Sequence, residues 1–212
     1  MSEASFDQLV YSKNVIEFVT VANEYCAFVE NHARLNRVEF IEKAQKIFPL
    51  LYLKASLLPA IDNDGLETPE KFVTEVDYSF LLNRISEKLA QYDSYLEVFD
   101  AKLQFSEGAI EASIAENVCD IYQDLKDFLM AFRIGTSEIM ADALWECNNN
   151  FKNYWGQKLV NGLRALHQLL YGEEELDDDQ PELFGADDEI EESKNSDVSW
   201  VSKHFDSYSD ED

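Results

Sequence analysis

Glycine and proline are scarce in this chain, seven and four among 212 residues. Each disfavours regular structure, glycine through backbone freedom and proline through its missing N–H, so the few present act as punctuation. Runs of alternating or β-branched residues bounded by turn signals are missing, which leaves no strand to assign. Cysteine occurs three times, at Cys26, Cys119 and Cys147, each inside an apolar helical pattern. An odd number so widely spaced excludes a disulfide framework and predicts free thiols in a reducing compartment. Basic side chains number 17 against 43 acidic ones, a formal charge of −26. Phosphate backbones and anionic lipid heads are bound through Lys and Arg, so this balance excludes direct nucleic-acid binding and favours a basic protein partner. No uncharged stretch approaches the about 20 apolar positions of a membrane span. The opening Met-Ser-Glu-Ala-Ser-Phe-Asp carries acids where a secretion signal carries Lys or Arg. A cytoplasmic location away from membranes is therefore expected.

Chemical signatures are missing as well. There is no phosphate loop, dinucleotide glycine pattern, HExxH, CxxC or GxSxG, so no cofactor and no catalytic residue is assigned. Asp62-Asn-Asp64-Gly65 looks like part of a calcium loop, but Ala60 and Lys71 fall where its first and last ligands belong. No metal site is assigned there.

What the chain does have is apolar bulk: 46% hydrophobic and 13% aromatic residues, enough to bury a sizeable core. Its charge is unevenly divided. Residues 1–172 carry 26 acidic and 15 basic side chains, whereas residues 173–212 carry 17 and 2. The expected organisation is a helical bundle domain over 1–172 followed by an acidic, disordered tail over 173–212.

Helical periodicity fills the first segment and predicts an all-α fold, a single bundle of about five long helices. The first, about residues 9 to 30, confines Lys13, Glu17, Thr20 and Glu24 to one stripe and should be central. The second, about 36 to 57, contains Pro49, where a kink is expected. Thr68 before Pro69 reads as the cap of a third helix running to about Ala90, and Tyr92–Gly108 has room for one more short helix. Ser113-Ile-Ala-Glu116 reads as a capping box opening a fourth helix that stops at Gly135. The fifth pattern, Thr136 to Tyr171, ends at Gly172, where a left-handed residue would fit. Its early stripe (Met140, Leu144, Cys147, Phe151) and later one (Leu159, Leu163, Leu166, Leu170) are offset by about a quarter turn. A bend near Asn148–Asn150 or Gly156 would realign them.

Two acidic sets, Glu39 with Glu42 and Glu116 with Asp120, Asp124 and Asp127, could suit magnesium in a helical pyrophosphohydrolase. Both lie opposite their helix's apolar stripe, which favours a solvated face. His32 and His167 stand alone, and Trp145 and Trp155 sit in apolar surroundings that favour core packing. In the tail, Leu183, Phe184, Trp200, Phe205 and Tyr208 stand in an acidic background and form a candidate partner-docking segment. The same tail could instead fold back on the chain's own Arg34, Arg37, Lys43 and Lys46.

Asp120-Ile-Tyr-Gln-Asp-Leu-Lys-Asp-Phe-Leu129, Asn150-Phe-Lys-Asn-Tyr-Trp-Gly156 and Arg164-Ala-Leu-His167 resemble an uncharacterised helical family, a domain of unknown function of Bacteroidetes-type bacteria. The resemblance covers about residues 10–171 and not the tail. It implies a bacterial cytoplasmic helical domain and supplies no catalytic residue. It does group Asp120, Asp124, Trp155 and His167 as a candidate body site. The expected function is a non-catalytic interaction or adaptor module for a basic partner. A magnesium-dependent nucleotide or phosphoester hydrolase is the alternative, and nucleic-acid mimicry a third reading.

Overall fold

Asn36 opens a helix by a reciprocal exchange. Its Oδ1 accepts the Glu39 amide at 2.8 Å, and its own amide donates to Glu39 Oε2 at 3.0 Å. Two amides beyond the reach of any helical carbonyl are thereby satisfied, which stabilises a helix start by about 1 kcal/mol. The computed structural model describes residues 3–60, 70–97, 110–173 and 176–177, and there this helix runs Arg37–Ser56. Seven α-helices appear among the described residues: α1 Glu3–Val10, α2 Lys13–Glu30, α3 Arg37–Ser56, α4 Glu75–Leu89, α5 Ile114–Ile134, α6 Ser137–Asn150 and α7 Gly156–Tyr171. Single 3₁₀ turns follow α2 and α4, and a π-helical turn, Phe151–Trp155, joins α6 to α7.

The all-α expectation holds, with corrections at the joints. The first expected helix is broken at Tyr11–Ser12, so α1 and α2 are separate. α3 runs unbroken through Pro49. α4 begins at Glu75 and not at Pro69, because Thr74 and Asp77 form the capping box instead. A short two-stranded antiparallel sheet, β1 Ser94–Glu97 with β2 Ile110–Ser113, overturns the expectation of no strand; Ser94 faces Ser113 and Glu97 faces Ile110. Residues 98–109 of the expected short helix lie outside the described residues. Ser113 does cap α5, accepting the Glu116 amide at 3.0 Å, and Asp93 joins it at the helix start. Asp93 accepts from Ser113 Oγ at 2.9 Å and from the Ala115 amide at 2.8 Å. The left-handed glycine cap is at Gly135, φ 87°, whereas Gly172 is extended.

The core is built on α2. Val15, Phe18, Ala22, Tyr25 and Val29 are fully buried, and its expected polar stripe faces out, with Glu17 held by Lys54 at 2.7 Å. α2 packs between α3 and α5; α3 rests on α7, and α5 also carries α4, α6 and α7. Aromatic rings bind these layers, Phe18 to Phe128 at 5.4 Å and Phe28 stacked on Phe40 at 4.8 Å. Each such fully buried side chain contributes about 1.5–3 kcal/mol. Cys26, Cys119 and Cys147 are free and buried within this core. His32 is buried too, its Nδ1 2.9 Å from the Val29 carbonyl oxygen, and Trp145 is half-buried against the core. The described residues belong to one compact unit, Met1–Asp179. The tail beyond, with Leu183, Phe184, Trp200, Phe205 and Tyr208, lies outside the described residues.

Candidate functional site

The quarter-turn offset within the last expected helix is resolved by the π turn. Adding one residue to a turn rotates everything after it, so the stripes of α6 and α7 face the same core. The wide turn closes over Gly156, where a Cβ would stand 2.3 Å from the Phe151 carbonyl oxygen and 2.9 Å from its ring. Trp155 is driven fully into the core beside Phe151, ring centroids 4.8 Å apart, and its indole N–H meets no acceptor among the described residues. Asn150 and Tyr154, at the two ends of the turn, reach α5 instead.

There they meet its acids. Asp120 accepts from Tyr78 Oη at 2.7 Å and Tyr154 Oη at 2.9 Å, and pairs with Lys158 at 2.7 Å. One turn on, Asp124 accepts from Asn150 Nδ2 at 2.8 Å. Asp127 accepts the Phe72 and Val73 amides at 2.8 and 2.9 Å, with Lys71 Nζ 3.8 Å away and also 3.1 Å from Glu146. Spacings of four and three residues align these carboxylates on one face. The expectation of a solvated face holds for Glu39, Glu42 and Glu116, which are exposed, and is overturned for the rest: Asp127 is buried, and Asp120 and Asp124 are half-buried. α4, the segment before it and the π turn cover this face, because each brings donors that carboxylates require when removed from water. Burial is the main force pushing the Asp124 carboxyl up to about 6, assisted by Asp127 and Glu146 and opposed by Asn150 and Lys71. Asp124, Asp127, Cys147 and Asn150 line a crevice of about 10 Å³, room for one water molecule.

This seam is a network of satisfied groups. Among the described residues no three His, Cys, Asp or Glu side chains converge as metal ligands. Burial pushes the Cys147 thiol well above its ordinary range, which suppresses the thiolate a nucleophile needs. Glu39 caps α3 and Glu42 pairs with Lys46 at 3.3 Å, so neither joins Asp120 and Asp124. Of the four grouped body residues, the structure brings together only Asp120 and Asp124. Trp155 turns into the core, and His167 is exposed on α7, its ring 4.8 Å from Tyr171. Tyr78, Lys71, Asn150, Tyr154 and Lys158 complete the seam; their only signal in the sequence is polarity beside an apolar stripe.

Next to the seam lies a groove of about 470 Å³ between α4 and α5, floored by Phe72, Val73, Leu81, Tyr122 and Met130. Glu30, Asp77 and Lys126 edge it. Phe80 lines it while remaining 58% exposed, and Val76, one turn earlier, is 77% exposed. The Thr74 hydrogen bonds hold the Asp77 carboxyl below the usual carboxylate range, so this rim stays ionised.

Comparison with known proteins bears on the whole bundle. A family model for a domain of unknown function, DUF5063, matches residues 9–172. The crystal structure of protein BF1032 from Bacteroides fragilis is similar, with a TM-score of 0.70 and 44% identity over 80% of this chain and 99% of that one. No curated protein matches. The expectation of an uncharacterised helical bacterial family over about residues 10–171 is borne out.

Proposed function

As this chain belongs to the DUF5063 family, a domain of unknown function, we propose that it is a non-catalytic interaction module whose α4–α5 groove docks a basic, amphipathic segment of a protein partner. The carrying observation is Phe80, an apolar side chain that lines the groove while largely open to solvent, with Val76 exposed four residues earlier on α4. Exposed apolar side chains beside a groove mark a docking surface, and a helix docked there anchors its own apolar side chains at intervals of three and four residues. The charge of the partner follows from Asp77 on the rim, where Glu30 is paired with Lys126 at 2.7 Å, and from the overall −26, which favours a cationic segment and speeds its approach. The acidic tail, with Leu183, Phe184, Trp200, Phe205 and Tyr208, adds electrostatic capture of the same partner.

The test places a photo-crosslinking residue at Met130, which lines the groove on α5, and maps the captured peptide from the native cell. A net-positive amphipathic peptide is expected, and Val76→Ser with Phe80→Ser should abolish its capture. Capture unchanged by that double substitution, or an acidic captured peptide, overturns the groove. Truncation after Asp177 should slow association without changing the crosslinked peptide, and an unchanged association rate overturns the part given to the tail.

A further inference from the structure

Arg37 is a cation removed from water. Its side chain is 3% exposed, and its Nε donates to the Lys88 carbonyl oxygen at 2.8 Å, which fixes the plane of the guanidinium. The group faces the Tyr92 ring at 5.4 Å from its centroid. Against this assembly lies a dipeptide from beyond the end of α7, Leu176–Asp177. Arg37 Nη1 donates to Asp177 Oδ1 at 2.5 Å and to the Asp177 carbonyl oxygen at 2.9 Å. The Asp177 amide donates to Tyr92 Oη at 3.2 Å. Leu176 is half-buried against the core and, with Tyr92, Leu169 and Tyr171, borders a cavity of about 550 Å³.

One residue is thus recognised through its carboxylate, its carbonyl and its amide, and its neighbour through apolar contact. Combined reading of main chain and side chain is how extended peptides are bound, whereas a merely structural ion pair needs the carboxylate alone. None of these contacts requires that Leu176 be joined to α7. The Asp177 side chain is 51% exposed, so the segment lies on the outer side of the site, where it can exchange.

We infer that the Arg37–Tyr92 site is a receptor for acidic peptides of the Leu-Asp type, occupied in cis by the chain's own Leu176–Asp177. A Leu-Asp peptide supplied in trans competes with this built-in occupant and displaces Leu176–Asp177 from the site. This site lies apart from the α4–α5 groove and does not depend on the function assigned to it.

The test uses the full chain. Asp177→Ala removes the resident carboxylate, and the probe is a fluorescent peptide with the sequence of residues 173–182, Glu-Glu-Glu-Leu-Asp-Asp-Asp-Gln-Pro-Glu, followed by anisotropy at physiological salt. The peptide should bind the variant at least tenfold more tightly than the wild-type protein. Saturating peptide should also restore the lowered Tm of the variant. Moving the leucine to the peptide's end, or introducing Tyr92→Phe beside Asp177→Ala, should weaken binding severalfold. The inference is overturned if the peptide does not bind the variant, binds both proteins equally, or binds as well when rearranged. Should Asp177→Ala not fold, Asp177→Asn keeps the shape and the main-chain contacts, and the same outcomes decide.

Discussion

Asp124→Asn tests whether burial governs the α5 seam. The Asp124 carboxyl is lifted from 3.8 to about 6, chiefly by desolvation. At 1.36 kcal/mol per pKa unit, keeping it ionised in the folded protein costs at most about 3 kcal/mol at neutral pH. A half-buried group is partly screened, which reduces the cost to roughly 1–2 kcal/mol. Asparagine has the same shape, and its amide oxygen still accepts from Asn150 Nδ2, so substitution removes the charge and keeps the hydrogen bond. The sign follows from linkage. Because the folded-state pKa is raised, the penalty is absent below the unfolded pKa near 4, grows between about pH 4 and 6, and is complete above that. Thermal unfolding of Asp124→Asn should therefore show a Tm higher by about 2–8 °C at pH 7.5, at roughly 2–4 °C per kcal/mol for a chain of this size. The difference should shrink towards zero by about pH 4. A lower Tm at pH 7.5, or a difference independent of pH, would refute the reasoning and point to a carboxylate that Lys71 needs as its counterion.

Gly156→Ala should destabilise the protein by about 3 kcal/mol or more in urea titration, since its Cβ would sit 2.3 Å from the Phe151 oxygen. Gly135→Ala, strained only by φ 87° with the new Cβ in ordinary contact 3.6 Å from the Arg133 carbonyl oxygen, should cost about 1 kcal/mol. Asp93→Ala strips acceptors from Ser86, Ser113 and the Ala115 amide and should cost about 2–4 kcal/mol. A loss below 1 kcal/mol would show that water replaces the carboxylate. The three buried thiols, with Cys119 pushed up to about 12 by burial, should resist a thiol-specific chromogenic reagent in the native state and all react once unfolded. Tyr78→Phe deletes the 2.7 Å bond to Asp120 and should accelerate amide exchange in α4 while leaving α2 unchanged; equal acceleration in both would show that α4 has no separate attachment.

The helices were legible because their signals are local. An apolar stripe, a cap residue and a breaker all fall within a few positions, and periodicity placed α2, α3 and α5 within a few residues of their ends. The offset between two leucine-rich stripes even marked the place of the π turn. What escaped depends on residues distant in sequence. Thr68 and Thr74 both precede plausible helix starts, and the contact that decides for Thr74, Asp127 holding the Phe72 and Val73 amides, spans more than 50 residues. β1 and β2 are four residues each, too short for alternation to show, and they exist by pairing with one another. The acids of α5 were read as solvated because they lie opposite its apolar stripe. A central helix has no free side, so here polarity marks contact with donors on α4, the π turn and α7, not contact with water.

That inversion changes what the acidic face does. Asp120 holds Tyr78 from one side of α4, while Val76 and Phe80, two residues to either side of Tyr78, point to solvent. Because neighbours two apart on a helix lie on roughly opposite faces, tying Tyr78 inward is what turns Val76 and Phe80 outward. Asp127 does the same for the groove floor, fixing Phe72 and Val73 through their amides so that their side chains line the groove. The hidden carboxylates thus orient the apolar surface. Charge in this bundle specifies a geometry, and the docking surface proposed for it is made of the side chains that the carboxylates leave exposed.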